Sequence, residues 1–164
     1  YTIPLIMAGP GIRGGRVTGA RVGLHNVGPT LLALTQCGRI DVPDSRSFAS
    51  VLTSEEEGAE RDFQQGFAEY FGGRILLTQR VVWDGDWKFV FNGFDFDELY
   101  HLRDDPYEMT NLAALPEYAD VVRRMTALMW RKIKETNDRS LLQSHYPILR
   151  VAPYGPFIAG EDDD

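Results

Sequence analysis

The feature that most constrains the fold is a pair of β-rich runs on either side of a short turn. The runs "RILLTQRVVW" and "WKFVF" flank the turn at residues 84–86, and an Asp-Gly pair between such runs is a strong hairpin signal. Trp87, Phe89 and Phe91 alternate onto one face of the second run, and an aromatic face of this kind must be covered by another element. The sequence therefore predicts an antiparallel hairpin with one buried aromatic face.

A helix is predicted from Pro116 to about Thr136, and it is the natural cover for that face. The apolar residues that recur at helical spacing in this segment are Tyr118, Val122, Met125, Met129 and Ile133. A third strand is predicted in "ELYHL", ended by a turn at Asp105-Pro106, after which Asn111 leads the chain toward the helix. We therefore expect a small antiparallel sheet packed on one long helix.

The first 40 residues predict a different arrangement. Residues 2–8 are apolar and predict a strand buried on both faces, of the kind found in a large α/β sheet. The following "HNVGPTLLALTQCG" predicts a helix with Asn26 as its N-cap, the leucines at 31, 32 and 34 on its apolar face, and Gly38 at its end. The expected fold class is thus α/β with an α+β subdomain: the last strand and helix of a large sheet, followed by the small antiparallel sheet on its helix.

The composition argues against a nucleic-acid partner and does not indicate a cellular compartment. The net charge of −7 argues against a nucleic-acid partner, because such proteins need a basic surface. No apolar run approaches the roughly 18 residues of a transmembrane helix, and no basic segment with a cleavage site indicates a signal peptide. Cys37 is the single cysteine, so no internal disulfide is expected. An isolated apolar strand at 2–8 would be aggregation-prone, so we expect a homo-oligomer or a missing N-terminal portion that covers it.

No catalytic, cofactor-binding or metal-binding residue is predicted within the chain. Cys37 follows a helix and is expected to be a small buried residue, while Asp104 and Asp105 are expected to satisfy turn backbone groups rather than act as an acid–base pair. His25, His101 and His145 lie too far apart in sequence to form a local metal pair. In the proline-rich tail, the candidates for contact with a substrate or a second subunit are His145, Tyr146 and Arg150.

Five ordered pieces of the sequence together resemble the C-terminal part of the sulfatase family, within the alkaline phosphatase superfamily. The pieces are "PLIMAGPGI", "VGLHNVGPTLLALTQCG", "RSFASVL", "RVVWDGDWKFVFNG" and "DELYHLRDDPYEMTNLA". This resemblance implies three regions: residues 1–45 end the catalytic α/β domain, residues 46–140 form an accessory α+β subdomain, and residues 141–164 form an extended tail. It also implies that the chain is a segment of a longer enzyme.

The resemblance further implies the hydrolysis of sulfate esters by that longer enzyme. In the family, a formylglycine made from a C/S-x-P-x-R motif attacks sulfur while calcium or another divalent cation holds the sulfate oxygens. Cys37 lacks the proline and arginine of that motif, so the nucleophile and the metal ligands are expected before Tyr1 and the segment alone is expected to be inactive. Two alternatives stay open: a phosphonate monoester hydrolase or phosphodiesterase of the same superfamily, and a standalone interaction module without catalysis.

Overall fold

The computed structural model describes residues 2–55, 58–72, 78–92 and 95–142 of the chain. The chain divides into two compact units, Tyr1–Gln64 and Gln65–Asp164. The three regions implied by the sequence, with boundaries after residues 45 and 140, stay a prediction.

The first unit is built from short helical elements around a small aromatic core. These elements are α1 (Leu24–Thr35), α2 (Ala49–Thr53) and a 3₁₀ turn (Arg61–Phe63). Phe48, Val51 and Phe63 form the core, and the rings of Phe48 and Phe63 meet edge to face with their centroids 6.4 Å apart. The backbone N–H of Arg21 donates to the carbonyl of Phe63 at 2.7 Å, which ties the loop before α1 to this core.

Helix α1 is held by polar side chains rather than by its leucines. It begins at Leu24 with Gly23 as the N-cap, so the prediction of Asn26 as the N-cap was wrong. Asn26 lies in the first turn instead, where its Oδ1 accepts the N–H of Gly23 at 2.8 Å and its Nδ2 donates to the carbonyl of Arg46 at 3.1 Å. Asn26 and Thr30 are the buried residues of α1, whereas Leu31, expected on a buried face, is 48% exposed.

The strand predicted at residues 2–8 is not formed. This segment has no strand pairing, and its residues are mostly exposed. A strand exists only as part of a hydrogen-bonded ladder, and all the strands that the structure describes pair with one another in the second unit. The apolar run therefore predicted a strand for which the described residues provide no ladder partner.

The second unit is a four-stranded antiparallel sheet with its strands in chain order. The strands are β1 (Gln65–Tyr70), β2 (Gln79–Asp84), β3 (Trp87–Asn92) and β4 (Glu98–His101). The predicted hairpin is confirmed: Asp84 pairs with Trp87 across a turn in which Gly85 has φ +56°, a left-handed conformation that favours glycine. Of the predicted first run, residues 74–77 lie outside the described residues. Strand β1 was not predicted.

One long helix covers the aromatic face of this sheet, as predicted. A 3₁₀ turn (Pro116–Tyr118) leads into α3 (Ala119–Glu135), and α4 (Arg139–Leu142) follows. The buried core joins sheet and helix through Val82, Phe89, Phe91, Leu99, Val122, Met125, Leu128, Met129, Trp130, Ile133 and Leu141. Burying each of the larger apolar side chains contributes roughly 1.5–3 kcal/mol. The α+β architecture of a small antiparallel sheet on a long helix is therefore confirmed.

A fully buried arginine joins β2 to the segment after α3. The side chain of Arg80 is 0% exposed, and it donates from Nε to Oδ2 of Asp138 at 2.6 Å and from an Nη to the hydroxyl of Ser140 at 2.8 Å. Glu69 on β1 lies 3.7 Å from the same guanidinium, and the ring of Phe71 lies 4.5 Å from its Cζ. A buried charge is tolerated only when it is paired and hydrogen-bonded in this way.

We expect Asp138→Ala to destabilise the fold strongly, because it leaves the charge of Arg80 buried with Glu69 as its remaining acidic neighbour. The expected loss in free energy of unfolding is about 3 kcal/mol, measured by urea denaturation. Arg124→Ala is the matched control, because its partly exposed ion pair with Asp84 is worth about 1 kcal/mol or less. Equal losses in the two variants would contradict the role given to Asp138.

Candidate functional site

Two side chains order the loop after β4, one through bonds within the loop and one through bonds to the sheet. The carboxylate of Asp105 accepts the backbone N–H groups of Met109 and Thr110 at 3.0 and 2.9 Å, and these bonds lower its pKa from the ordinary value. Asn111 accepts the N–H of Leu99 at 3.0 Å and donates to the carbonyl of Asp97 at 3.0 Å. The predicted turn at Asp105 is confirmed, and Asn111 fastens the end of the loop back onto β4.

This loop forms one wall of a cleft of about 290 Å³, which we call the Trp87 cleft. Its lining consists of Trp87, His101, Asp104, Asp105, Thr110, Leu112 and Tyr118. The ring of Trp87 lies 4.5 Å from that of His101 and 5.9 Å from that of Tyr118, between centroids. Nδ1 of His101 lies 2.6 Å from Oδ2 of Asp104. The lining of the cleft therefore combines aromatic rings with two carboxylates.

The opposite face of the sheet carries a connected set of polar side chains. Lys88 pairs with Glu108, and its Nζ lies 5.8 Å from the ring centroid of Tyr100. The hydroxyl of Tyr100 donates to Oε2 of Glu98 at 2.7 Å. Burial, together with this hydrogen bond, raises the pKa of Tyr100. The set orders β3, β4 and the loop relative to one another, and Tyr100 stays protonated as a donor.

Asp97 is a carboxyl with one buried oxygen that has no partner among the residues described. Its Oδ1 accepts the N–H of Asn92 at 3.0 Å, while its Oδ2 is buried and has no hydrogen-bond partner. Burial raises the pKa of Asp97 to about 6, the hydrogen bond from Asn92 opposes that rise, and the nearby charge of Glu98 adds to it. Asp97 therefore carries its charge at a cost in stability at neutral pH.

The structure does not gather the other candidate residues into a site. Cys37, expected to be buried, is exposed, and its Sγ lies 3.5 Å from the carbonyl of Thr35. His25 lies on α1 in the first unit and His101 on β4 in the second. His145, Tyr146 and Arg150 lie outside the described residues. In the described part of the chain, no helix is long and apolar enough to cross a membrane.

Sequence reasoning missed the Trp87 cleft because its members belong to different elements. Trp87 begins β3, His101 ends β4 and Tyr118 ends the 3₁₀ turn before α3. The signal that could have found it is the placement of His101 on the same face as Trp87, since the two are directly paired across the sheet.

Comparison with known proteins places the chain in a family. The sequence model described as N-sulphoglucosamine sulphohydrolase, C-terminal, matches residues 1–135. The chain belongs to this sulfatase C-terminal family. Among relatives, the choline-sulfatase of Rhizobium meliloti is 32% identical over 167 residues, which cover 94% of this chain and 32% of the relative.

Solved structures share the fold of this sulfatase C-terminal domain. A 2-O GAG sulfatase superposes with a TM-score of 0.66 at 26% identity, covering 80% of this chain and 29% of that protein. A phosphonate monoester hydrolase from Silicibacter pomeroyi superposes with a TM-score of 0.61 at 22% identity, covering 82% of this chain and 29% of that protein. The chain thus spans about a third of the length of these three proteins.

The cofactors that the family implies do not fit the residues described. In those residues, no group of three or more His, Cys, Asp or Glu side chains could hold a metal ion. Cys37 is followed by Arg39 and Asp41, where a C/S-x-P-x-R motif has proline and arginine. The described residues therefore provide neither the formylglycine precursor nor a site for a divalent cation.

We expect the titration of Asp97 to contribute increasing stability as the pH falls from about 7 toward 4. Its folded pKa of about 6 exceeds the unfolded value of about 3.9, so the folded state binds more protons in that window and is favoured by acid. Asp97→Asn removes the buried charge and should raise the free energy of unfolding by about 1 kcal/mol at pH 7.5, with a much smaller gain at pH 4.5.

Urea denaturation of both proteins at the two pH values checks this expectation. Asp95→Asn, at an exposed position in the same segment, controls for the loss of one negative charge. If the Asp97→Asn variant and the parent have equal free energies of unfolding at both pH values, the buried charge of Asp97 does not destabilise the fold.

Proposed function

We propose that this chain is the C-terminal segment of an enzyme that hydrolyses sulfate esters, and that it serves as the structural subdomain of that enzyme. The observation that carries the proposal is the family match over residues 1–135. The choline-sulfatase supports it, because 94% of this chain aligns with about a third of that enzyme. Hydrolysis of the ester breaks the S–O bond and yields an alcohol and sulfate.

The geometry of the second unit supports a scaffolding role. Its sheet is clamped to α3 by an apolar core and to the segment after α3 by the buried pair of Arg80 and Asp138. The loop after β4 is braced internally by Asp105 and joined to β4 by Asn111. A subdomain held in this way can present a loop to a neighbouring active-site cleft in one defined position, which is what positioning of a substrate requires.

In this proposal the nucleophile and the metal ligands belong to a segment that precedes Tyr1 in the longer enzyme. Formylglycine and a divalent cation would act there, so the 164-residue chain alone is inactive. The tail residues His145, Tyr146 and Arg150 are the candidates for contact with the substrate or with a second copy of the enzyme.

A phosphonate monoester hydrolase is the second candidate, because such an enzyme shares the fold. The likeness at 22% identity concerns the fold alone. The two candidates differ in whether the parent enzyme cleaves at sulfur or at phosphorus. A standalone module without catalysis is the remaining alternative, and it differs from both in having no catalytic segment.

We expect the full product of the gene that encodes this chain to hydrolyse 4-nitrophenyl sulfate, and the 164-residue chain to release no 4-nitrophenol. Release would be followed by absorbance, with calcium present and a formylglycine-generating enzyme co-expressed in a host that lacks sulfatases. 4-Nitrophenyl phenylphosphonate, assayed in parallel, tests the second candidate.

A Met125→Asp variant of the full product is the control for the structural role. Met125 is fully buried between sheet and helix, so a charge there should unfold the subdomain and remove activity although it touches no substrate. Faster cleavage of the phosphonate than of the sulfate would favour the second candidate. Turnover by the 164-residue chain itself would contradict the proposal, and a gene product that begins at Tyr1 would favour the standalone module.

A further inference from the structure

We propose that the Trp87 cleft binds an uncharged sugar ring. The cleft lies wholly within the second unit, and its volume of about 290 Å³ is near the lower end of the range for small-molecule sites. The proposed function assigns no ligand to the cleft, so the inference goes beyond that function and does not depend on which ester the parent enzyme cleaves.

Aromatic rings supply the surface on which such a ring would pack. The ring of Trp87 lies 4.5 Å from that of His101 and 5.9 Å from that of Tyr118 between centroids, and all three side chains are half-buried. The face of an aromatic ring carries negative potential, while the C–H face of a pyranose carries slight positive charge, so the two attract. Aromatic side chains also offer large contact area at a small loss of side-chain entropy.

Three hydrogen-bonding groups around these rings have no partner among the residues that the structure describes. In the described part of the chain, no hydrogen bond is made by the indole N–H of Trp87, the hydroxyl of Thr110 or the hydroxyl of Tyr118. A ligand that occupies the cleft gains by bonding these groups. Sugar hydroxyls can do so because each is both a donor and an acceptor.

The charge of the cleft selects against anionic ligands. Asp104 and Asp105 both line the cleft. The hydrogen bonds from backbone N–H groups that lower the pKa of Asp105 keep it ionised. Two basic side chains beside these carboxylates in the chain are paired with acids, His101 with Asp104 and Arg103 with Asp86. A sulfated or carboxylated sugar would meet the negative charge of Asp105, whereas an uncharged sugar can donate hydrogen bonds from its hydroxyls to the carboxylates.

The walls of the cleft are held in place before any ligand arrives. The N–H of Leu112 donates to the carbonyl of Leu99 at 2.9 Å, and the N–H of Leu102 donates to the carbonyl of Asp86 at 2.8 Å. Together with the bonds of Asp105 and Asn111, they fix the loop at both ends. A preformed site of this kind loses little entropy on binding.

Titration of the full 164-residue chain with methyl glycosides, followed by ¹H–¹⁵N NMR, tests the proposal. The probes are the methyl glycosides of glucose, galactose, mannose and N-acetylglucosamine, with glucose 6-sulfate and tetramethylammonium as charged comparators. We expect at least one glycoside to shift the indole signal of Trp87 and the amide signals of residues 101–112 saturably, with a Kd on the order of millimolar. Glucose 6-sulfate should bind at least about fivefold more weakly than the best glycoside.

Tyr118→Phe and Thr110→Val remove single hydroxyls and should each weaken binding of that glycoside about fivefold. Tyr107→Phe is the matched control, since Tyr107 lies in the same loop, is 83% exposed and does not line the cleft. Asp104→Asn should reduce the difference in affinity between the best glycoside and glucose 6-sulfate.

Three results would overturn the proposal. They are the absence of saturable shifts with all four glycosides, equal affinity in the Tyr118→Phe and Tyr107→Phe variants, and saturation by tetramethylammonium alone, which would assign the cleft to organic cations. The titration measures binding without turnover. A negative titration therefore does not contradict the proposed sulfatase function, and a negative sulfatase assay does not contradict sugar binding.

Discussion

The packing of the aromatic face of β3 against α3 is the interaction on which the second unit depends. Phe89 and Phe91 on the strand and Met125 and Met129 on the helix are each 1% exposed or less. A four-stranded sheet of this size has too little core of its own to be stable without such a cover. Because one helix supplies nearly all of that cover, the position of α3 determines the geometry of both the sheet and the loops at its ends.

The buried pair of Arg80 and Asp138 adds specificity to this apolar contact. Apolar side chains can exchange neighbours at modest cost, whereas a guanidinium bonded to one carboxylate and one hydroxyl accepts few alternatives. Arg80 lies on the helix-covered face of β2, beside Val82, so the pair fixes the register between sheet and helix at one end. The sequence offered no sign of this, because Arg80 reads as an ordinary polar residue in a strand.

The elements that local periodicity describes were predictable, and those that depend on distant partners were not. The hairpin at Gly85 and the stripe from Val122 to Ile133 follow from spacing alone. Strand β1, "QGFAEY", contains glycine, alanine and glutamate, which disfavour strands, and it exists because β2 provides a ladder for it. Residues 2–8 are the converse case, an apolar run with no ladder partner among the residues described.

The candidate site likewise has a part that local sequence predicts and a part that depends on distant partners. The turn at Asp105 could be predicted, because the chemistry of an Asp-Pro turn is local. The Trp87 cleft could not, since Trp87, His101 and Tyr118 belong to three elements and meet only once the sheet has formed. Family membership, in contrast, was recognisable from the order of the motifs in the chain.

The ordering of the β4 loop by Asp105 and Asn111 has a consequence for how this surface can vary. Both side chains act through backbone groups, Asp105 on Met109 and Thr110 and Asn111 on Leu99, while the side chains of Tyr107 and Met109 are 83% and 81% exposed. These two exposed side chains can therefore be exchanged without disturbing the strand that carries the loop. New contacts could therefore be introduced at Tyr107 and Met109 while the fold of the sheet stays the same.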